Sequence, residues 1–524
     1  MKKLILSLLL LATATALHAQ DSLAVQYART ITASDLKTHL SIIASDEYEG
    51  RETGSKGQKM AAEYLYKQLE EDKLLGPVKE SSNPFFQPVA LTARSWKDVF
   101  VQNGDTRLEL FRDFFNYGTY LTPQKQIEAV FAGYGIDHEN YSDYTDLDVT
   151  GKAVVILMGE PVDKEGNYLL SGTDEASEEF NNVNKMRLAK EKGAEMAFLV
   201  YEDEKAFNNR NELYKQYYSK PSISGKQNRT SNFGAYYTSP KGAAAVLGIP
   251  VKKLDKAMAK TRKKGASQAG KFTSSIQVKS EQEEAPVQTE NVLAYLEGTD
   301  KKDELLVVTA HYDHIGKTGD EINNGADDDG SGTVTVLEVA EAFAQAAANG
   351  HRPRRSILFM LVTGEEKGLL GSDYYSENPI FPLENTIANL NIDMVGRVDP
   401  KHEEENNPDY IYVIGSDMLS TELHELHEEV AATYMPDLEL DYRYNAKDDP
   451  NRFYYRSDHY NFAKHGIPVI FYFNGTHADY HRPTDTVEKI HFEKMEKIAR
   501  LVFATAWELS NREGRPVVDK QPAE

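Results

Sequence analysis

The feature that most constrains this chain is a set of short apolar runs, each ending abruptly in carboxylates or imidazoles. Leu305-Leu306-Val307-Val308-Thr309-Ala310 runs straight into His311-Tyr312-Asp313-His314. Ser356 to Val362 ends in Thr363-Gly364-Glu365-Glu366, and Ile387 to Ile392 is followed by Asp393. Pro468 to Phe473 leads into a loop carrying His477, Asp479 and His481. Runs of this length read as strands. Between them, Thr333 to Ala348 reads as a long helix ended by Gly350, and Phe492 to Leu509 as a terminal amphipathic helix. Strands alternating with helices predict an α/β fold, a mixed and mostly parallel central sheet flanked by helices on both faces. Sites in open α/β sheets form at the C-terminal ends of the strands, where these polar residues fall.

Spacing adds detail. His311 and Asp313 are two apart, so at a strand end they point to the same side. Asn323 to Gly332 places Asp327, Asp328 and Asp329 together just before the long helix. Three adjacent acids repel one another, which calls for a cation or the helix N-terminus as partner. Each residue alone has a plainer reading, Asp328 as a helix cap and Glu366 as a solvated acid. Their recurrence at successive strand ends makes a metal site the better account. Other patterns carry no chemistry. The histidines of His424-Glu425-Leu426-His427 are three apart rather than the four of a helical zinc motif. Asp327 to Gly330 lacks the alternating ligands of a calcium loop. Ser457-Asp458-His459 sets three triad residue types side by side, where no relay can form.

Composition bounds the chemistry. The absence of cysteine excludes disulfides, thiolate metal sites and cysteine nucleophiles. With 82 acidic against 59 basic residues, the net charge of −23 disfavours binding to nucleic acid or anionic membranes. Residues 1–19 read as a signal peptide, with Lys2 and Lys3 before an apolar stretch and cleavage after Ala19. The mature protein is therefore expected to be exported, to the periplasm or beyond. No later segment approaches the ~18 apolar residues of a membrane span, so no stable membrane insertion is expected.

The chain divides into residues 20–92, a segment of different texture at 93–285, a main part at 286–515, and a tail at 516–524. Within the middle segment, Glu128 to Gly135, Lys152 to Met158 and Met196 to Tyr201 read as strands, Lys185 to Gly193 and Lys252 to Lys264 as helices. Asn208 to Pro240 reads as a long exposed loop. Gly54-Ser55-Lys56-Gly57 lacks phosphate-loop spacing and reads as a turn.

Together these motifs resemble the di-zinc aminopeptidases of metallopeptidase family twenty-eight. The matching residues are His311-Tyr312-Asp313, Gly325 to Gly332, Gly364 to Ser372, Asn391-Ile392-Asp393-Met394, Ser457-Asp458-His459 and His481 to Thr486. Arg51 and Gly54 look like the family's opening segment, and residues 93–285 like an inserted, β-rich protease-associated domain. The resemblance implies two Zn2+ ions per chain. Asp328 would bridge them, with His311 and Asp393 completing one site and Glu366 and His481 the other. Glu365 would be the general base, Asp313 would orient His311, and Tyr454 would steady the oxyanion. It implies peptide substrates and removal of N-terminal residues, and sets no oligomeric state. Two other functions fit the same fold. A glutaminyl cyclase uses one zinc, which the complete set of five ligands argues against. A non-catalytic receptor is disfavoured because neither base nor ligand is missing.

Overall fold

The computed structural model describes residues 21–163, 165–225, 230–264 and 267–521. The expected signal peptide at 1–19 lies outside the described residues. The chain forms two units, Met1–Ala90 with Gln288–Glu524, and Leu91–Val287.

The first unit is built on a mixed sheet. Its strands lie in the order Glu439–Asp441, Tyr410–Ile414, Val469–Phe473, Thr386–Ile392, Lys301–His311, Arg355–Val362 and the C-terminal part of Thr273–Leu296. The four central neighbours, from Val469–Phe473 to Arg355–Val362, are all parallel. Their side chains alternate between two cores, as the two-residue period of a strand dictates. Leu306, Val308, Ile357, Phe359, Leu390 and Ile470 enter one core. Leu305, Val307, Leu358, Met360, Val469 and Phe471 enter the other. The first core is closed by the helices Ala33–Ile43, Lys56–Glu71, Gly332–Ala348 and Phe492–Asn511. The second is closed by shorter elements, including Leu370–Glu377 and Tyr460–Ala463. Burial on both faces is why these strands read as continuous apolar runs.

At the Gly54 turn, the Ser55 hydroxyl accepts the Gln58 N–H and caps the helix Lys56–Glu71. Residues 516–521 are pinned rather than trailing: the N–H groups of Asp519 and Lys520 donate to the Leu419 carbonyl at 3.1 and 3.2 Å. Among the described residues no helix is long and apolar enough to cross a membrane.

The second unit has its own parallel run, Thr122–Phe131, Ala153–Leu157, Met196–Val200 and Gly234–Thr238, in that spatial order. One expectation fails here. Residues 208–240 are not one long loop: Glu204–Tyr218 is a helix capped by Asp203, and Gly234–Thr238 is a strand. That helix buries only Phe207 and Asn211, so it has no apolar stripe to give it a readable period.

Candidate metal centre

The parallel register brings the polar strand ends together. His311 is paired with Val362, Thr309 with Asn391, and Ile392 with Tyr472. Hence His311, Glu365, Asp393 and His481 leave the sheet from neighbouring strands on one edge. Asp328 reaches them from the segment before the helix Gly332–Ala348, and its two oxygens are divided. Oδ1 lies 3.4 Å from His311 Nε2, while Oδ2 lies 3.0 Å from His481 Nε2. His311 Nε2 also lies 3.6 Å from Asp393 Oδ1 and 3.8 Å from Glu365 Oε2. His481 Nε2 lies 3.1 Å from Glu366 Oε2.

The three adjacent aspartates separate into three tasks. Asp327 Oδ1 accepts the Gly396 N–H at 2.7 Å, and its Oδ2 faces Asn474 Nδ2 and His477 Nε2 at 3.1 Å each. Asp329, not Asp328, takes the helix N-terminus: its Oδ1 accepts the N–H of Gly332, and also that of Met394, at 2.9 Å. Its Oδ2 accepts the His311 N–H at 3.2 Å. Asp328 between them faces the imidazoles. The repulsion expected from sequence is thus relieved by donors for the outer two acids, leaving the central one for the site.

The surrounding shell fixes each donor. His311 Nδ1 lies 3.0 Å from the Asp313 carbonyl oxygen, which can only accept, so the proton sits on Nδ1 and Nε2 presents its lone pair. The Asp313 carboxylate is 3.9 Å from that nitrogen and instead accepts the Thr53 hydroxyl at 2.7 Å and the Glu365 N–H at 3.2 Å. Ser457 Oγ donates to Asp393 Oδ2 at 2.6 Å. Arg51, fully buried, donates to the carbonyls of Ile43, Tyr312, Asn324 and Gly325 at 2.8–2.9 Å, clamping the loop ahead of Asp328.

Charge is concentrated here. Burial pushes the Glu365 carboxyl well above its ordinary range; His311 opposes this, and Glu366 and Asp393 add to it. Burial and Asp328 act to raise Glu366 too, but His314 and His481 hold it down at about 2. His311 Nε2, His481 Nε2, Asp328 Oδ2 and Glu366 Oε1 are buried without a hydrogen-bond partner. Such orphaned lone pairs are costly unless a cation takes them up. Imidazole and carboxylate donors in this arrangement suit zinc. A third trio, His402, Glu439 and Asp441, is less suited, because Arg443 already pairs with Asp441 at 2.6 Å.

Residues 291–506 match the model of Peptidase family M28. Over this stretch the chain is similar to M28 peptidases. It is 28% identical over 290 residues to leucine aminopeptidase 1 of Penicillium rubens, covering 54% of this chain and 69% of that protein. It is 28% identical over 265 residues to a probable zinc metalloprotease of Leptosphaeria maculans, covering 44% of this chain and 59% of that one. Over several of the curated relatives it matches, then, the chain spans between half and two thirds of their length. Its fold is similar to that of an aminopeptidase from Aneurinibacillus sp. strain AM-1, with a TM-score of 0.53, 19% identity and coverage of 95% and 98% of the two chains. A zinc aminopeptidase from Bacillus subtilis gives 0.50 and 18%, with coverage of 92% and 96%.

A pocket opens beside the donors, lined by Asp328, Glu365, Asp393, Met394, Phe453, Arg456, Phe471, Phe473, Thr476 and Tyr480. Tyr454 does not line it. Its ring is buried against His459, Tyr455 and Tyr460, whereas its neighbour Phe453 in the turn Phe453–Tyr455 lines the pocket. Tyr480, stacked on His481 at 3.9 Å, is the tyrosine that reaches the pocket. The Ser457-Asp458-His459 run disperses as expected: Ser457 to Asp393, Asp458 to Ser372 at 2.5 Å, and His459 against Phe471. His427 is buried 5.4 Å from the Tyr472 ring, with its imidazole pushed down to about 3 by burial and then by His424. Sequence reasoning assigned no role to Asp329, Tyr480 or His314, although the quoted motifs contained or adjoined all three.

Proposed function

We propose that this chain is an exported, zinc-dependent aminopeptidase that hydrolyses the N-terminal residue from peptides. The observation that carries the reading is the convergence of His311, Asp328, Glu366, Asp393 and His481 on one strand edge, with Glu365 beside them and a pocket adjoining. His311, Asp328 and Asp393 would hold one zinc ion, and Asp328, Glu366 and His481 a second. Bound zinc supplies Lewis acidity, lowering the pKa of a water and polarising a carbonyl.

The residues of the chain do the rest. Glu365, raised by burial, takes the proton of the attacking water on its carboxylate and returns it to the leaving amine. Asp313 holds the Glu365 backbone N–H, fixing where that carboxylate starts. Tyr480, which lines the pocket, would donate to the developing oxyanion in place of Tyr454. Export rests on the charged and apolar pattern of residues 1–19. The reading of 93–285 as a protease-associated-like insert belongs to the same proposal.

The test is release of nitroaniline from aminoacyl nitroanilides, abolished by a chelator and restored by zinc. N-blocked peptides should be left intact. Ammonia release from N-terminal glutamine without nitroanilide turnover would replace this reading with a cyclase. No turnover by zinc-loaded protein would replace it with a binding module.

A further inference from the structure

His314 closes the motif His311-Tyr312-Asp313-His314, and nothing in the proposed mechanism uses it. It is fully buried. Its Nδ1 lies 2.9 Å from Glu366 Oε1 and 3.8 Å from Asp328 Oδ2. Despite the short approach to Glu366, the pair lacks the alignment of a hydrogen bond, and both ring nitrogens and Glu366 Oε1 are without a hydrogen-bond partner. Donor atoms of His314, Asp328 and Glu366 all lie within 4.8 Å of one another. The ring stands edge-on to that of His481, with centroids 5.7 Å apart, so two imidazoles flank the same two carboxylates.

The backbone is shaped to seat this ring. The His314 N–H donates to the Arg51 carbonyl at 3.2 Å. Gly325, at φ +56°, faces it with no side chain, and a Cβ there would lie 2.5 Å from His314 Cδ2. A left-handed glycine held by Arg51 through its carbonyl, at 2.8 Å, thus leaves space that the imidazole fills. A buried imidazole with two unsatisfied nitrogens, its Nδ1 near two carboxylates, is the environment of a ligand.

We infer that His314 supplies, through Nδ1, a fourth protein donor to the ion held by Asp328, Glu366 and His481. The inference rests on the two-zinc reading above. It makes the two sites unequal. Asp328 Oδ2, Glu366, His481 and His314 complete a closed set of four, which is the pattern of a tightly held zinc. Asp328 Oδ1, His311 and Asp393 make only three, so the position open to water and substrate is on the His311 side, next to Glu365.

The test is zinc K-edge X-ray absorption on the zinc-loaded full chain, with metal content per chain followed through stepwise dialysis against a chelator. Two zinc ions sharing three imidazoles are expected, with one ion lost well before the other. His314→Ala and the closer-sized His314→Gln should reduce the count to two imidazoles. They should also weaken retention of the later-lost ion by roughly 10–100-fold, with circular dichroism reporting the fold. Two zinc ions sharing only two imidazoles in the unaltered protein would overturn the inference and leave the two-zinc reading standing. Unchanged retention in folded variants would do the same. Uptake of fewer than two ions would overturn both.

Discussion

The carboxylate of Asp485 accepts the main-chain N–H of Asp328 at 3.2 Å, and the same oxygen accepts that of Asp327 at 3.0 Å. Asp485 lies in the loop that carries His481, so this contact ties one proposed zinc donor to another through the backbone. Asp485→Ala removes the tie and should weaken retention of zinc by roughly 10–100-fold. Asp485→Asn keeps an acceptor oxygen and should lose much less. Equal loss in both variants, measured by metal content after dialysis, would mean that the charge of Asp485 matters rather than its geometry.

Glu365→Gln keeps the shape and the backbone contact to Asp313 but cannot accept a proton. Turnover should fall by ~10²–10⁴-fold, while zinc content stays near that of the unaltered protein. Retention of full activity would remove Glu365 from the mechanism.

Zinc removal should lower the melting temperature, because the orphaned donors of His311, Asp328, Glu366 and His481 lose their partner. Adding zinc back should restore it. A melting curve indifferent to chelation would show that these side chains satisfy one another without metal.

Arg51 donates to four main-chain carbonyls from full burial. Truncation strands those acceptors at about 1–3 kcal/mol each, so Arg51→Ala should fold poorly. Arg51→Lys, with one ammonium for a forked guanidinium, should recover only part of the stability. Denaturant midpoints measure both.

Away from the metal centre, Glu338 is buried and its carboxyl is pushed up to about 8, by burial first and then by Glu341, Asp35 and Asp72. Asp72 is raised to about 7 by burial and by Glu341. In the unfolded chain both ionise near their ordinary values of about 4. Between about pH 4 and pH 8 the native state therefore binds protons the unfolded state has released, and stability from this cluster falls as pH rises. Glu338→Gln should flatten that decline in melting temperature. A decline equally steep in the variant would assign it elsewhere.

Much of the centre was legible because its charged and imidazole side chains fall at or just beyond the ends of apolar strands. His311, Glu365, Glu366 and Asp393 stand where hydrophobic runs stop, His481 lies in the loop after one, and such breaks are visible in a sequence. The assignment among Asp327, Asp328 and Asp329 was not, since it depends on which N–H groups each carboxylate meets. For the same reason Tyr454 and Tyr480 could not be told apart: both stand close to a motif, and only the local turn decides which enters the pocket. The helix Glu204–Tyr218 escaped notice because it buries too little to leave a pattern.

The proposed donors run from His311 to His481, and the strand Val469–Phe473 that delivers the last of them is also a central member of the sheet. A nascent chain stopped short of that strand would lack both an interior row of the sheet and a ligand. Completion of the full donor set therefore waits for Val469–Phe473, because His481 alone among the proposed donors follows it in the chain.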